Sequence, residues 1–449
     1  MTVRQKGSVV LGVLLVAAGC AYFAAARAVD QSVRDGRFLR LISGKTATKL
    51  GGSECGYLPI ARRGLKLRSA GILVRGRPPH HLVELSAINL QARCSLRKLW
   101  QSKLTIPRLE ASQLQAAFGE AAAAQLEKIL PARPNLEPAD DTESPIQIDI
   151  RETDIAQTDI LWGDTVDSIG ALKGVNTRFV TKDRGIDIFA RGGTFQQTGW
   201  PGLAVDALHF NWSKSKLIVK SADLSMGSPK DFSVTGEFVF GEHGSMKLHL
   251  TSKKSPAEPL VMGYWKGKFD GILDSETDLE KGFEPGNKVR ATGIVSFSRA
   301  TVHDVDVLKK VATVTAHPRF EKPKIDILRF HYMWTGDRLE ISEFEAEVRG
   351  LCRLEGKFTI ENKGIDGDFK IGAAPDVLDA LPGAREEVFT ESRKGYLWTS
   401  LKLDGPAGHP REDLKPRLIA AAQKHFAKGL LAPILKSGDA LIEQLKNIY

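Results

Sequence analysis

The sequence predicts a mainly β protein: an N-terminal transmembrane helix, then antiparallel strands in repeating meanders, with a few short helices and a C-terminal amphipathic helix. Three observations predict it. From Gly56 onward apolar and polar residues alternate through segment after segment, as in GLKLRSAGILVRG, HLVELSAINLQARC and FSVTGEFVF, the period of a strand with one buried face. The 42 glycines outnumber the 21 prolines two to one and fall between short apolar runs, where turns and bulges need them. A stretch of about 45 residues also recurs. LHFNWSKSKLIVKSADLSMGSPKDFSVTGEFVFGEHGSMKLHL from Leu208 lies beside LRFHYMWTGDRLEISEFEAEVRGLCRLEGKFTIENKGIDGDFKI from Leu328, matching Phe210 with Phe330, Leu217 with Leu339, Ala222 with Ala346 and Gly236-Glu237-Phe238 with Gly356-Lys357-Phe358. A repeated supersecondary unit buries its face by stacking on the next copy.

Taken in order, residues 1–28 read as a membrane anchor. Gly7 to Ala26 is twenty residues without a charge, enough for a helix to span a bilayer core, and Arg4 and Lys6 precede it as in a signal anchor. Cleavage as a signal peptide and lipidation at Cys20, after the loose lipobox Ala17-Ala18-Gly19, are the alternatives. The basic residues after the span outnumber those before it, which by charge alone favours a cytoplasmic body.

Residues 29–130 form the next unit. A short amphipathic helix over 29–52 carries Val33, Leu39, Leu41 and Leu50 and stops at Gly51-Gly52. Strands follow to Glu110, and residues 111–130 read as helical, with Leu114, Phe118, Ala122, Leu126 and Leu130 four apart. PARPNLEPADDTESP, residues 131–145, reads as an exposed linker. Residues 146–405 are the repeated meander. Residues 406–449 close the chain with two helical stripes, Leu418, Ile419, Ala422 and Phe426, then Ile434, Leu435, Leu441, Ile442 and Leu445 after Pro433. They suit docking on the sheet as a cap, or a membrane surface.

The net charge of +9 is uneven: Arg27 to Glu110 holds 17 Lys+Arg against 5 Asp+Glu, a surplus of 12. A basic segment beside an anchor suits anionic lipid headgroups or simply a solvated face. Its cations are not set in a known nucleic-acid module and the remainder is acidic, so nucleic acid is not an expected partner. Four cysteines, Cys20, Cys55, Cys94 and Cys352, have no zinc spacing. Cys55 and Cys94 either pair in an oxidising compartment or lie buried as thiols.

Catalytic motifs fail one by one. Ser43-Gly-Lys-Thr46 resembles a phosphate loop, but Leu39 stands where the loop needs glycine. None of the ten histidines makes a metal pair on a helix. His303, Asp304 and Asp306 cluster as a surface turn would, and no GxSxG elbow exists. The expectation is no enzyme, no metal and no cofactor.

The layout as a whole resembles the AsmA-like proteins of bacterial envelopes. The resemblance rests on the anchor and short helix, the strand pair GYLPIARRGLKLRSAGILVRG, the turn Leu96-Arg97-Lys98-Leu99, the strand Ile106 to Glu110, RLEISEFEAEVRGLCRLEGKFTI, and the closing segment Gly405 to Pro410. It covers most of a chain shorter than many relatives. It implies an inner-membrane, single-pass anchor, a periplasmic body of curled antiparallel sheet, and an open apolar groove that holds phospholipid acyl chains in lipid transport or outer-membrane biogenesis. Alternation assigns the groove residues: Phe232, Val234, Phe238 and Phe240; Leu328, Phe330, Tyr332 and Trp334; and Leu354, Phe358 and Ile360 each share a face. The competing reading is a non-catalytic periplasmic scaffold or assembly factor, a closed β-sandwich that binds envelope proteins or glycan.

Overall fold

The computed structural model describes residues 37–49, 52–76, 82–95, 103–140, 147–228, 230–241, 243–261, 265–284, 286–406 and 410–428. The expected anchor, the Leu96–Leu99 turn, residues 407–409 of the closing segment, residues 141–145 of the expected linker and the second C-terminal stripe lie outside the described residues. Among the described residues no helix is long and apolar enough to cross a membrane. The chain is mainly β and forms two compact units that divide between His209 and Phe210.

The first unit opens with helix α1 (Arg37–Lys49), within the expected helical segment. Its strands are β1 (Glu54–Tyr57), β2 (Ile60–Arg63), β3 (Lys66–Arg75), β4 (Leu82–Ser95), β5 (Lys103–Phe118), β6 (Glu137–Pro138), β7 (Gln147–Ile150), β8 (Glu152–Trp162), β9 (Gly170–Lys182), β10 (Gly185–Arg191) and β11 (Thr194–Gln197). The units divide within β12 (Leu203–Ser213). The expected helix over 111–130 is not formed. Ala111 to Phe118 is the second half of β5, and only α2 (Glu120–Ala123) is helical. β5 is hydrogen-bonded on both sides, to β4 antiparallel and to β7 and β8 parallel. The buried Ala111, Ala116 and Ala117 have no strong intrinsic preference for a strand, so tertiary pairing decides their conformation.

Parallel pairing needs a crossover connection, and that is the role of the segment read as a linker. Residues 131–140 run back along β1: Glu137 and Pro138 pair with Cys55 and Glu54, and the Ala139 N–H donates to the Ser53 carbonyl at 2.8 Å. Gly56 permits the approach, since a Cβ there would lie 2.2 Å from the Asn135 carbonyl oxygen. The first unit is therefore a mixed sheet, not the wholly antiparallel one expected. Cys55 and Cys94 are free and sit in separate buried clusters, Cys55 with Ile72, Val74 and Leu82, and Cys94 with Leu104 and Ile106.

The second unit is an antiparallel meander: β13 (Lys216–Ser225), β14 (Phe232–Val239), β15 (Ser245–Pro256), β16 (Phe269–Gly282), β17 (Arg290–Val302), β18 (Lys324–Ile325), β19 (Ile327–Thr335), β20 (Arg338–Val348), β21 (Cys352–Glu361), β22 (Gly364–Ala373), β23 (Glu391–Arg393), β24 (Tyr396–Pro406) and β25 (Arg411–Glu412). Each long strand pairs with the next long strand in sequence. Helices α3 (Asp306–Thr315), α4 (Pro375–Asp379), α5 (Ala384–Glu387) and α6 (Leu414–Lys428) interrupt or close it. They gather at one end, where Ala312, Leu378, Phe389, Leu414 and Ala421 bury Val348, Ala373 and Trp398. Leu418 of the first C-terminal stripe packs on this cluster and Ala422 is buried, so the described part of that helix docks as a cap.

The repeat reappears as two bulged hairpins, in a different register from the sequence match. Leu217 faces Phe238 across β13 and β14, with a bulge between Val219 and Ala222. Leu339 faces Ile360 across β20 and β21, with a bulge between Ile341 and Phe344. Phe238 is thus the counterpart of Ile360, and Ala222 of Phe344. A two-residue slip keeps every side chain on its face, so alternation alone cannot detect it.

Candidate functional site

Residues directly opposite in an antiparallel pair share a face, and the registers of the second unit align the apolar alternation of strand after strand. One row runs Gly236, Leu248, Leu279, Ala291, Trp334, Leu339, Ile360 and Ile365 from β14 to β22. Its neighbour runs Val234, Leu250, Thr277, Gly293, Tyr332, Ile341, Phe358, Gly367 and Leu403. Phe232 lies in the same row as Val295 and Phe330, by way of Ser252 and Ser275. Leu328 lies in the same row as Leu354, by way of Ala346. Phe238 belongs to the same face, and Phe240, just past the end of β14, stacks on it at 6.4 Å between ring centroids. The registers thus bring the groove residues assigned from sequence onto one face of one sheet.

Among the described residues, the helices of the second unit gather at one end of that sheet. Phe232, Val234, Phe238, Leu328, Phe330, Tyr332, Leu354, Phe358 and Ile360 are half-buried, and Phe240 and Trp334 are 44% and 39% exposed. A packed interior would bury such side chains almost completely. At its middle an aromatic cluster joins four strands: Phe344 meets Phe330 at 6.3 Å, Phe358 at 6.0 Å and Phe369 at 6.1 Å. Glycines let these rings lie flat. A Cβ on Gly356 would come within 2.6 Å of the Phe369 ring, and one on Gly293 within 2.9 Å of the Tyr332 ring. The Tyr332 hydroxyl crosses Gly293 to meet the Thr277 hydroxyl at 2.8 Å. Burial raises the Tyr332 pKa above its ordinary value, with the Thr277 bond acting the other way.

Phe344 and Phe369 escape the sequence reading for different reasons. The bulge after Ile341 places Phe344 on the apolar face at a position that strict alternation assigns to the polar one. Phe369 follows regular alternation with Ile365 and Ile371, but Gly367 dilutes the pattern.

The opposite face is charged. Arg353 joins Glu345, Glu347 at 2.7 Å and Glu355 at 2.9 Å; Arg329 reaches Glu345 at 2.6 Å and Arg393 reaches Glu355 at 2.6 Å. Burial works to raise the Glu355 carboxyl, but Arg393 and Arg353 hold it below the ordinary range. Histidines on the unit pair with acids, as His303 does with Asp270 at 3.2 Å and with Asp304 at 3.3 Å. Among the described residues no group of His, Cys, Asp and Glu is arranged to hold a metal. Comparison of the chain with family models, curated proteins and solved structures finds no match.

Proposed function

We propose that this chain is a membrane-tethered, non-catalytic lipid carrier of the AsmA-like type, anchored in an inner membrane with its body in the periplasm. In this reading the apolar face of β13–β24 shelters phospholipid acyl chains, in support of phospholipid transport or outer-membrane biogenesis. The observation that carries the reading is the alignment of half-exposed apolar side chains on one face from strand to strand across the meander, through its bulges. Contiguous apolar surface of this kind marks an interaction site. Each methylene moved from water onto such a face gains about 0.8 kcal/mol, so a two-chain lipid can leave a bilayer without exposing its tails. The charged reverse face keeps the sheet soluble, and the glycine-backed rings offer flat hydrocarbon surface without a polar group in need of a partner.

The test is extraction of lipid from the purified full chain. Bound phospholipid is expected, and its loss in Phe238→Asp and Phe358→Asp proteins that still fold, because a carboxylate cannot be covered by hydrocarbon without a large desolvation penalty. A lipid-free preparation that instead captures an envelope protein supports the scaffold reading and removes this one.

A further inference from the structure

The apolar face is not the only unpartnered surface. In the first unit β2–β5 align cations where a sheet ordinarily avoids them. Arg63 lies opposite Lys66, Lys66 opposite Arg93, and Arg93 opposite Arg108. Arg68, two residues from Lys66, shares their face by alternation. Like charges directly opposite are destabilising. Only the last of the row is compensated: Arg108 pairs with Asp154 at 2.8 Å and with Glu110 at 3.1 Å. Arg63, Lys66, Arg68 and Arg93 have no acidic partner among the described residues and are exposed. They border a cavity of about 1130 Å³, and Leu65, 39% exposed at the β2–β3 turn, projects among them.

We infer that this face docks on the surface of an anionic lipid bilayer. Four uncompensated cations side by side on rigid strands are retained where an external anion offsets their repulsion. Adjacent strands stand about 4.8 Å apart, so the row presents a lattice of charge that matches several headgroups at once. Leu65 supplies an apolar tip to enter the headgroup layer. The sequence supports the same partner, since the surplus of 12 positive charges follows directly on a twenty-residue uncharged stretch. Nucleic acid fits less well: no aromatic side chain on which bases could stack lies in the cationic row, and the one aromatic of these strands, Phe118, stands ten residues past Arg108 at the far end of β5. The inference does not rest on the apolar face of the second unit, and its test leaves that reading untouched.

The test is flotation of the full chain with vesicles of phosphatidylcholine alone or of phosphatidylcholine with phosphatidylglycerol. Residues 7–26 contribute equally to both, so the readout is the excess on anionic vesicles. That excess is expected to fall with added salt and by roughly fivefold for each charge removed in the series Arg63→Gln, Lys66→Gln, Arg68→Gln and Arg93→Gln. Equal flotation on both vesicles, an excess unchanged in the fourfold variant, or displacement from anionic vesicles by single-stranded nucleic acid overturns the inference. Should the fourfold variant not fold, labelling of the Lys66 amine in the wild-type chain decides. Protection on anionic vesicles alone supports docking, and equal labelling on both rules it out.

Discussion

Gly293 has no side chain because Tyr332 occupies the place where one would stand. A Cβ would lie 2.4 Å from the Glu276 carbonyl and press on both the Tyr332 ring and the Thr277 hydroxyl. Gly293→Ala is therefore expected to destabilise the chain by about 1–3 kcal/mol through overpacking, measured by urea unfolding. Gly202→Ala, in open space, is the control that stays within a few tenths. The thiols give a second prediction at this scale. Burial pushes Cys55 up to about 12 and Cys352 up to about 11, so both remain neutral thiols well past pH 9. In the native chain they are expected to resist alkylation at pH 8 and to react only on unfolding, because the thiolate is the nucleophile. The stability tied to these groups is complete below their unfolded value of 9.0 and drains away as pH rises towards 11–12. Rapid labelling in native buffer at pH 8 would contradict this.

At the scale of elements, the sequence is readable where alternation is regular and deceptive where pairing or a bulge intervenes. β19 and β21 follow strict alternation, and their apolar residues are legible as one face. β5 looks helical at Leu114 and Phe118 because the spacing of four fits a helix as well as two strand repeats, and only its two hydrogen-bonded neighbours settle it. In β20, Glu343 takes a φ of +50° within the bulge that turns Phe344 to the apolar side, a conformation unfavourable for any residue with a Cβ. Glu343→Gly is expected to raise stability by about 1 kcal/mol by relieving it, since the exposed contact of Glu343 with His331 at 3.6 Å is worth little. Urea midpoints decide between a gain and a loss. On the reverse face Glu345 and Glu355 stand directly opposite each other, tolerable because Arg353 lies between them. Arg353→Met takes the cation from Glu347 while Glu345 keeps Arg329 and Glu355 keeps Arg393, and is expected to cost about 1–3 kcal/mol, with part of the loss recovered by adding Glu347→Gln. No recovery in the double variant would show that the charges are not the cause.

At the scale of the second unit, contacts run from each long strand to the next, so distant parts of the apolar face are mechanically independent. Phe238 and Phe358 lie six strands apart, about 29 Å along the sheet. Their replacement by alanine is expected to be additive within about 0.5 kcal/mol in lipid-free protein. Phe344 and Phe369, whose rings meet at 6.1 Å, are expected to couple by about 0.5–3 kcal/mol. Lipid changes this arithmetic. A ligand at free concentration c that binds only the folded chain stabilises it by RT ln(1 + c/Kd), and on the proposed function hydrocarbon spread over the face would touch both remote phenylalanines. Phospholipid is therefore expected to raise the unfolding midpoint of the wild-type chain, Phe238→Asp and Phe358→Asp each to diminish that rise, and the double variant to abolish it. Coupling between sites that are independent without lipid has no source within the sheet. A lipid-induced rise that survives in the double variant would place the lipid elsewhere on the molecule.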